Sequence, residues 1–459
     1  MATLAKTIRG IFVDHEHGPR PLEVRLEEDS GVIKSVQEID PAQLAVAQDR
    51  PQGYLEEKTP QGLQYTFAPT ENIFGGLIDL HVHAREDVSQ KLTAVEDFTS
   101  IGQAAIKGGV CAIGEMPNNP VPPLDADTYL AKLALAAKAQ MPVFLYAALT
   151  DTSTPLPWPL PYKAFLTAPD PKDALTKKDN LKRYRRMWVS FHGEDDQIIK
   201  ANSNKSTHQQ RRPVAAEVQA LKNILAWGKE FSLKVRICHV TSKAGIDLLR
   251  TAKRDPSWQK NLLVEVCLNH LCFDAENTDL SNPYFNVNPP LRTPEDRQAL
   301  WQAWKEGVVD ILATDHAPHP LAAKAAGASG MPSLDCFGAI LTDLYQRAVQ
   351  EGMPAPQVLK RIAQTTVFNP GEFLNHFLTI WQRPPLQAVL PAYQSLGKGL
   401  GKILPGYAGY FTVLNWTQGF TLNLMDLGSK MPWSPWLGHS FKGVCRGIFS
   451  PLAERFISR

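Results

Sequence analysis

The stretch Gly76-Leu77-Ile78-Asp79-Leu80-His81-Val82-His83-Ala84-Arg85 decides how this chain is read. It starts as an apolar strand and closes on a His-x-His pair. Residues two apart on a strand face the same side, so both imidazoles can converge on one metal ion. Far along the chain, Val308-Val309-Asp310-Ile311-Leu312-Ala313-Thr314-Asp315-His316 has the same form: an apolar run ending in an acid and a histidine. Two histidines at one strand end are unremarkable; the pattern gains weight because it recurs.

Between these stretches, short apolar runs alternate with helical periodicities. Strands are expected at Leu77–His83, Val110–Met116, Val143–Leu149, Tyr162–Leu166, Trp188–His192, Val235–Val240, Leu263–Leu268 and Val308–Thr314. Helical patterns such as Val95–Lys107, Pro213–Phe231 and Pro294–Glu306 fall between them. This alternation marks βα units around a parallel sheet, and near-continuous apolar strands fit a sheet buried on both faces. The expected fold class is α/β: a (β/α)8 TIM-type barrel, with its reactive residues at the C-terminal strand ends.

Strand-like segments also occur at 7–36, and again at Gly401–Gly406, Tyr410–Leu414 and Phe441–Ile448. They suggest a small β domain assembled from both termini. The expected division is 1–70 for its N-terminal part plus a polar loop, 71–380 for the barrel, and 381–459 for its C-terminal part. The stretch from Asp40 to Thr70, rich in Gln and Pro, reads as an exposed loop.

Composition narrows the classes. The 459 residues carry a net charge of +2 without long blocks of one sign. The short basic run Lys182-Arg183-Tyr184-Arg185-Arg186 reads as a solvated helix end, so neither a nucleic-acid partner nor a membrane is expected. With no secretory leader pattern at Met1–Lys6, the expected location is the cytoplasm. Six scattered cysteines without a Cys-x-x-Cys pair fit free thiols in a reducing compartment. Cys238 precedes the candidate ligand His239, and strand alternation would point it to the opposite face, into packing.

The other strand ends extend the pattern. The fifth closes on Phe191-His192-Gly193-Glu194-Asp195, the sixth on Cys238-His239-Val240. Lys163, in Pro161-Tyr162-Lys163-Ala164-Phe165-Leu166, falls on the interior if the fourth strand is placed correctly. An ammonium there would be repelled by divalent cations, so the amine must be neutral or converted to a carbamate.

Taken together, Asp79-x-His81-x-His83-x-Arg85, Glu115-Met116-Pro117-Asn118-Asn119-Pro120, Ile237-Cys238-His239-Val240, Asn286-Val287-Asn288-Pro289-Pro290-Leu291-Arg292 and Ala313-Thr314-Asp315-His316-Ala317-Pro318-His319 resemble the dihydroorotases of the cyclic amidohydrolase superfamily. The resemblance spans roughly residues 7–450. It implies two Zn2+ ions per chain: His81, His83 and Asp315 on one, His192 and His239 on the other, with carboxylated Lys163 and a hydroxide bridging them. It further implies Asp315 as general base, and Asn118 and His319 as contacts to the substrate carboxylate. Arg85, two residues beyond His83 on the same face, can pair with that carboxylate through two hydrogen bonds, and Asn288 is a further polar contact. The implied reaction is reversible opening of the dihydroorotate ring amide to N-carbamoyl-aspartate, a step of pyrimidine biosynthesis. The alternatives are a hydantoinase, dihydropyrimidinase or allantoinase, whose substrates lack the carboxylate, or a non-catalytic scaffold relative. A homo-oligomer and association with aspartate transcarbamoylase are the partner expectations. His270 has no family counterpart and is given no role, and the Ala- and Gly-rich loop Leu321–Pro332 reads equally as a lid or a plain connection.

Overall fold

A computed structural model of the chain describes residues 5–168, 170–381, 395–451 and 453–459. The opening Met1–Leu4 and residues 382–394, the start of the expected C-terminal part, lie outside the described residues.

All eight expected parallel strands are present, within a few residues of their expected bounds. Leu77–Val82, Val110–Glu115 and Val143–Leu145 form one ladder. The third strand changes partner at Tyr146, and Ala147–Leu149 begins a second ladder with Tyr162–Phe165, Trp188–His192, Lys234–Ile237, Leu262–Cys267 and Ile311–Ala313. Beyond its end, the last strand meets the first: His83 N–H donates to His316 O at 2.9 Å. Beneath this contact, the Asp79 carboxylate accepts from the backbone N–H groups of both His81 and Thr314. One buried acid therefore ties together the two strand ends that carry His81 and Asp315.

The helices follow their sequence patterns. Phe98–Gly108 starts at a capping box between Asp97 and Ser100 and stops at Gly109, where φ is +78°. Pro294–Glu306 has Thr293 and Asp296 as its box and Gly307 as its stop. Such reciprocal caps satisfy N–H groups that the first helical turn leaves unpaired. Among the described residues no helix is long and apolar enough to cross a membrane.

Both ends of the chain share one sheet. Its order is Ile457–Ser458, Val444–Phe449, Phe411–Asn415, Glu71–Gly75, Lys6–Asp14, Gly18–Leu26 and Ile33–Glu38. Its apolar face gathers Phe12, Tyr65, Phe67, Phe411, Phe449 and Phe456. Each such large buried side chain contributes roughly 1.5–3 kcal/mol relative to leaving it exposed. The sheet also anchors the first parallel strand, Leu77–Val82, since Gly76 N–H donates to Tyr410 O and Leu77 N–H to Thr412 Oγ1. A Cβ at Gly76 would lie 2.6 Å from Cys111, so only glycine allows this approach.

Two expectations for the terminal segments are corrected. The stretch 40–70 is no loop: Pro41–Ala47 is a short 3-10 helix, and Tyr54–Thr59 pairs antiparallel with Gly62–Phe67. Gly62–Phe67 then pairs parallel with Lys6–Asp14, burying Leu63, Tyr65 and Phe67. Gly401–Gly406 is not a strand either. Both terminal glycines have positive φ, and Tyr407 N–H closes a turn onto Leu404 O.

Candidate metal centre and binding cavity

At the C-terminal strand ends lies a cavity of about 660 Å³. His81, His83, Arg85, Asn118, Lys163, His192, His239, Asn288, Asp315 and His319 all line it. Every residue singled out from the sequence as ligand, base or substrate contact therefore reaches one space.

The donor atoms fall into two groups. Asp315 Oδ1 lies 3.2 Å from His81 Nε2 and 3.0 Å from His83 Nε2, so three ligand atoms surround one point. Across the cavity floor, His192 Nδ1 and His239 Nε2 are 2.8 Å apart. Lys163 is fully buried, and its charge bears on His81, His192, His239 and Asp315 alike. Its Nζ donates to Cys238 Sγ at 3.0 Å.

Three imidazoles are held by a partner on the nitrogen that faces away from these points. His81 Nδ1 lies 2.7 Å from Glu265 Oε1, His83 Nδ1 2.6 Å from Asn118 Oδ1, and His192 Nε2 3.1 Å from Glu194 Oε2. A hydrogen bond at one ring nitrogen fixes the proton there and leaves the other lone pair free to ligate. Glu265 is in turn paired with buried Arg236 at 2.7 Å, and Glu194 with Arg212.

The electrostatics follow this arrangement. Burial opposes charge on His81, but Asp315 and Glu265 on either side raise its pKa to about 9. Burial lowers His83 to about 4 and takes His239 well below its ordinary value. For Asp315, burial is outweighed by His81, His83 and Lys163, which hold the carboxylate well below the usual range. Burial would also raise Glu265, yet Arg236 and His81 bring it to about 2.

Arg85 stands at the mouth. It is buried, and burial lowers its pKa to about 10. Among the described residues it forms no ion pair; its Nη2 lies 3.1 Å from His319 Nε2. Asn288 Oδ1 is buried without a partner among the described residues. Asn118, read from the sequence as a substrate contact, gives its carbonyl oxygen to His83, which leaves its NH2 end for a ligand. His270 is buried with Nε2 on Pro289 O at 3.0 Å and does not line the cavity.

Residues 72–374 match the amidohydrolase family. The chain belongs to the amidohydrolase family. This amidohydrolase is 28% identical over 388 residues to a dihydroorotase of Thermococcus kodakarensis, covering 83% of each chain. It is 29% identical over 403 residues to a dihydroorotase of Pyrococcus furiosus, covering 84% of this chain and 85% of that one. In fold it resembles L-hydantoinase from Arthrobacter aurescens, with a TM-score of 0.79 at 17% identity, covering 100% of this chain and 96% of that one. Dihydropyrimidinase from Brevibacillus agri gives a TM-score of 0.76, again at 17% identity, covering 99% and 95%.

The residues that support the ligands lie outside the strand-end pattern. Arg236 and Glu265 interrupt apolar strands with opposite charges, and that was their signal. Arg212 follows the short helix His208–Arg211 rather than a strand end, yet it lines the cavity and pairs with Glu194. Cys238 does not turn away as alternation predicts: the strand stops at Ile237, His239 has φ of +36°, and both side chains reach the site.

Proposed function

We propose that this amidohydrolase is a dihydroorotase, opening the ring amide of dihydroorotate and, in reverse, closing N-carbamoyl-aspartate with loss of water. The observation that carries this reading is Arg85, a buried guanidinium without an ion pair among the described residues, facing the same cavity as the His81–His83–Asp315 cluster. A buried cation needs a counter-charge, and a guanidinium matches a carboxylate through two parallel hydrogen bonds. Hydantoin and dihydrouracil rings offer no such carboxylate. Identity near 28% to curated dihydroorotases over most of the chain supports the same reading.

The architecture behind it is read as a (β/α)8 barrel, its eighth strand returning to the first through the His83–His316 contact, with residues of both termini forming a separate β unit. The donor set fits two zinc ions. His81, His83 and Asp315 would hold one and His192 with His239 the other, while Lys163, as its carbamate, would bridge them. An ammonium cannot ligate a metal ion, so Lys163 enters the second set only as its carbamate, the form that the resemblance to dihydroorotases implies. Bound zinc supplies Lewis acidity towards a carbonyl and a potent nucleophile at neutral pH.

The chain's own groups do the rest. Arg85, the Asn118 amide, Asn288 and His319 hold the ring by its carboxylate, so that the amide carbonyl points at the ligand cluster. Asp315 takes the proton of the attacking water and delivers it to the departing ring nitrogen.

Two results would establish the reading. Metal-replete protein should contain two zinc ions per chain by elemental analysis, and it should cyclise N-carbamoyl-aspartate until a chelator is added. Turnover of dihydrouracil with none of dihydroorotate would instead make the enzyme a hydantoinase-type amidohydrolase. Glu265→Gln should weaken zinc binding by roughly 10–100-fold, since the carboxylate orienting His81 is lost. Competition against a coloured chelator measures it, and an unchanged zinc affinity would show that Glu265 serves only the Arg236 pair.

A further inference from the structure

Lys324 is completely buried in the short helix Leu321–Ala325, and among the described residues it has no carboxylate partner. Its Nζ instead donates to three backbone carbonyls: Asn286 O at 2.7 Å, Ala328 O at 2.9 Å and Gly330 O at 2.7 Å. The Trp433 ring lies beneath the ammonium, 5.7 Å to its centroid. Burial works against the charge, pulling its pKa down to about 7, and the three carbonyl dipoles are what compensate for it.

These carbonyls come from two places. Ala328 and Gly330 belong to the loop 327–330, which walls the cavity; Asn286 lies on the segment that continues to Asn288, which also lines it. Further bonds join the same two pieces, from Asn286 Nδ2 to Gly327 O at 2.8 Å and from Gly330 N–H to Asn286 O at 2.9 Å. Within the loop, Ser329 O lies 3.0 Å from His319 Nε2, the nitrogen that also meets Arg85. Gly330 cannot be replaced, because its φ is +141° and a Cβ would lie 2.5 Å from Ala317 O. Trp433 donates to His319 O at 2.8 Å, so the residue under the ammonium also holds the backbone of His319.

We propose that Lys324 is a positioning residue for substrate recognition: its ammonium clamps the loop 327–330 to the Asn286–Asn288 segment and thereby sets His319 and Asn288 for the ring carboxylate. The inference rests on the dihydroorotase reading for the substrate's identity, while the clamp itself concerns only this chain. Lys324 does not line the cavity, and its Nζ bonds to backbone carbonyls rather than to any ligand atom. Its removal therefore changes binding rather than the chemical step.

Lys324→Met keeps the apolar stem and removes every donor. It should raise KM for dihydroorotate by about 10–100-fold while kcat stays within about threefold and zinc content is unchanged. Amide hydrogen exchange across 327–330, measured without substrate, should speed up at the same time. Asn286→Ala leaves the backbone carbonyl that Lys324 holds but removes the side-chain bonds from Asn286 Nδ2 to Gly327 O and Ala328 O that join the same two pieces. It should shift KM in the same direction by about 3–10-fold, and it serves if the Met variant does not fold. Unchanged KM and exchange in either folded variant would overturn the proposal. So would loss of kcat and zinc in step with KM, which marks general destabilisation. Absence of dihydroorotate turnover in the unaltered enzyme would defeat the functional reading, and loop exchange would still decide the clamp.

Discussion

Asp315→Asn should lower kcat on dihydroorotate by about 10²–10⁴-fold, the usual worth of a positioned general base, and should do so on any other ring the enzyme opens. The carboxylate touches both His81 and His83 and is held ionised by them. Asn keeps the size of the side chain and an oxygen to ligate with, but it cannot carry the proton from water to the leaving nitrogen. The backbone should tolerate the change, because Asp315 has φ of +52° and asparagine adopts that region readily. Steady-state kinetics beside elemental analysis separates lost chemistry from lost metal. A variant that turns over at the normal rate would remove Asp315 from the proton path.

Arg85→Met should lose about 2–5 kcal/mol in kcat/KM for dihydroorotate, the cost of truncating one side of a buried charge pair, or roughly 30-fold to a few thousand-fold. Zinc content should not change, since Arg85 contacts His319 and no ligand atom. On dihydrouracil, if the enzyme has measurable activity, the loss should be small because that ring brings no carboxylate to the guanidinium. Comparable losses on both rings would mean that Arg85 shapes the cavity rather than reading the substrate, and the substrate assignment would lose its main support.

Local rules go far in this chain where an element is defined by its own residues. The eight apolar strands, the capped helices Phe98–Gly108 and Pro294–Glu306, and the convergence of His81, His83, Lys163, His192, His239 and Asp315 all follow from periodicity and position. Elements defined by their partner rather than by their own residues were not legible. Tyr-Leu-Glu-Glu-Lys-Thr at 54–59 is polar, and only pairing with the next strand makes it β. Alternation failed at Cys238 because its strand ends at Ile237 and His239 takes left-handed backbone, where a period of two no longer holds; Arg85 and Asp315 are left-handed beyond their own strands too. Arg236 and Glu265 could be seen as charges in apolar strands, but which imidazole they serve depends on the fold. Their cost is set by burial: removing either partner of such a pair typically costs about 3–5 kcal/mol.

The shared terminal sheet has a consequence for how this protein comes to be made. Glu71–Gly75 has Lys6–Asp14 on one side and Phe411–Asn415 on the other, so one of its two neighbours is translated more than three hundred residues later. Until that strand leaves the ribosome, the edge of Glu71–Gly75 stays unpaired and Gly76 and Leu77 lack Tyr410 and Thr412. Pairings of such sequence separation close slowly, and an unpaired edge is exposed to association with other chains meanwhile. The nascent chain therefore carries an open β edge for most of its synthesis. Truncations before Phe411 should accumulate as aggregates rather than as a shortened enzyme, whatever remains of the metal ligands.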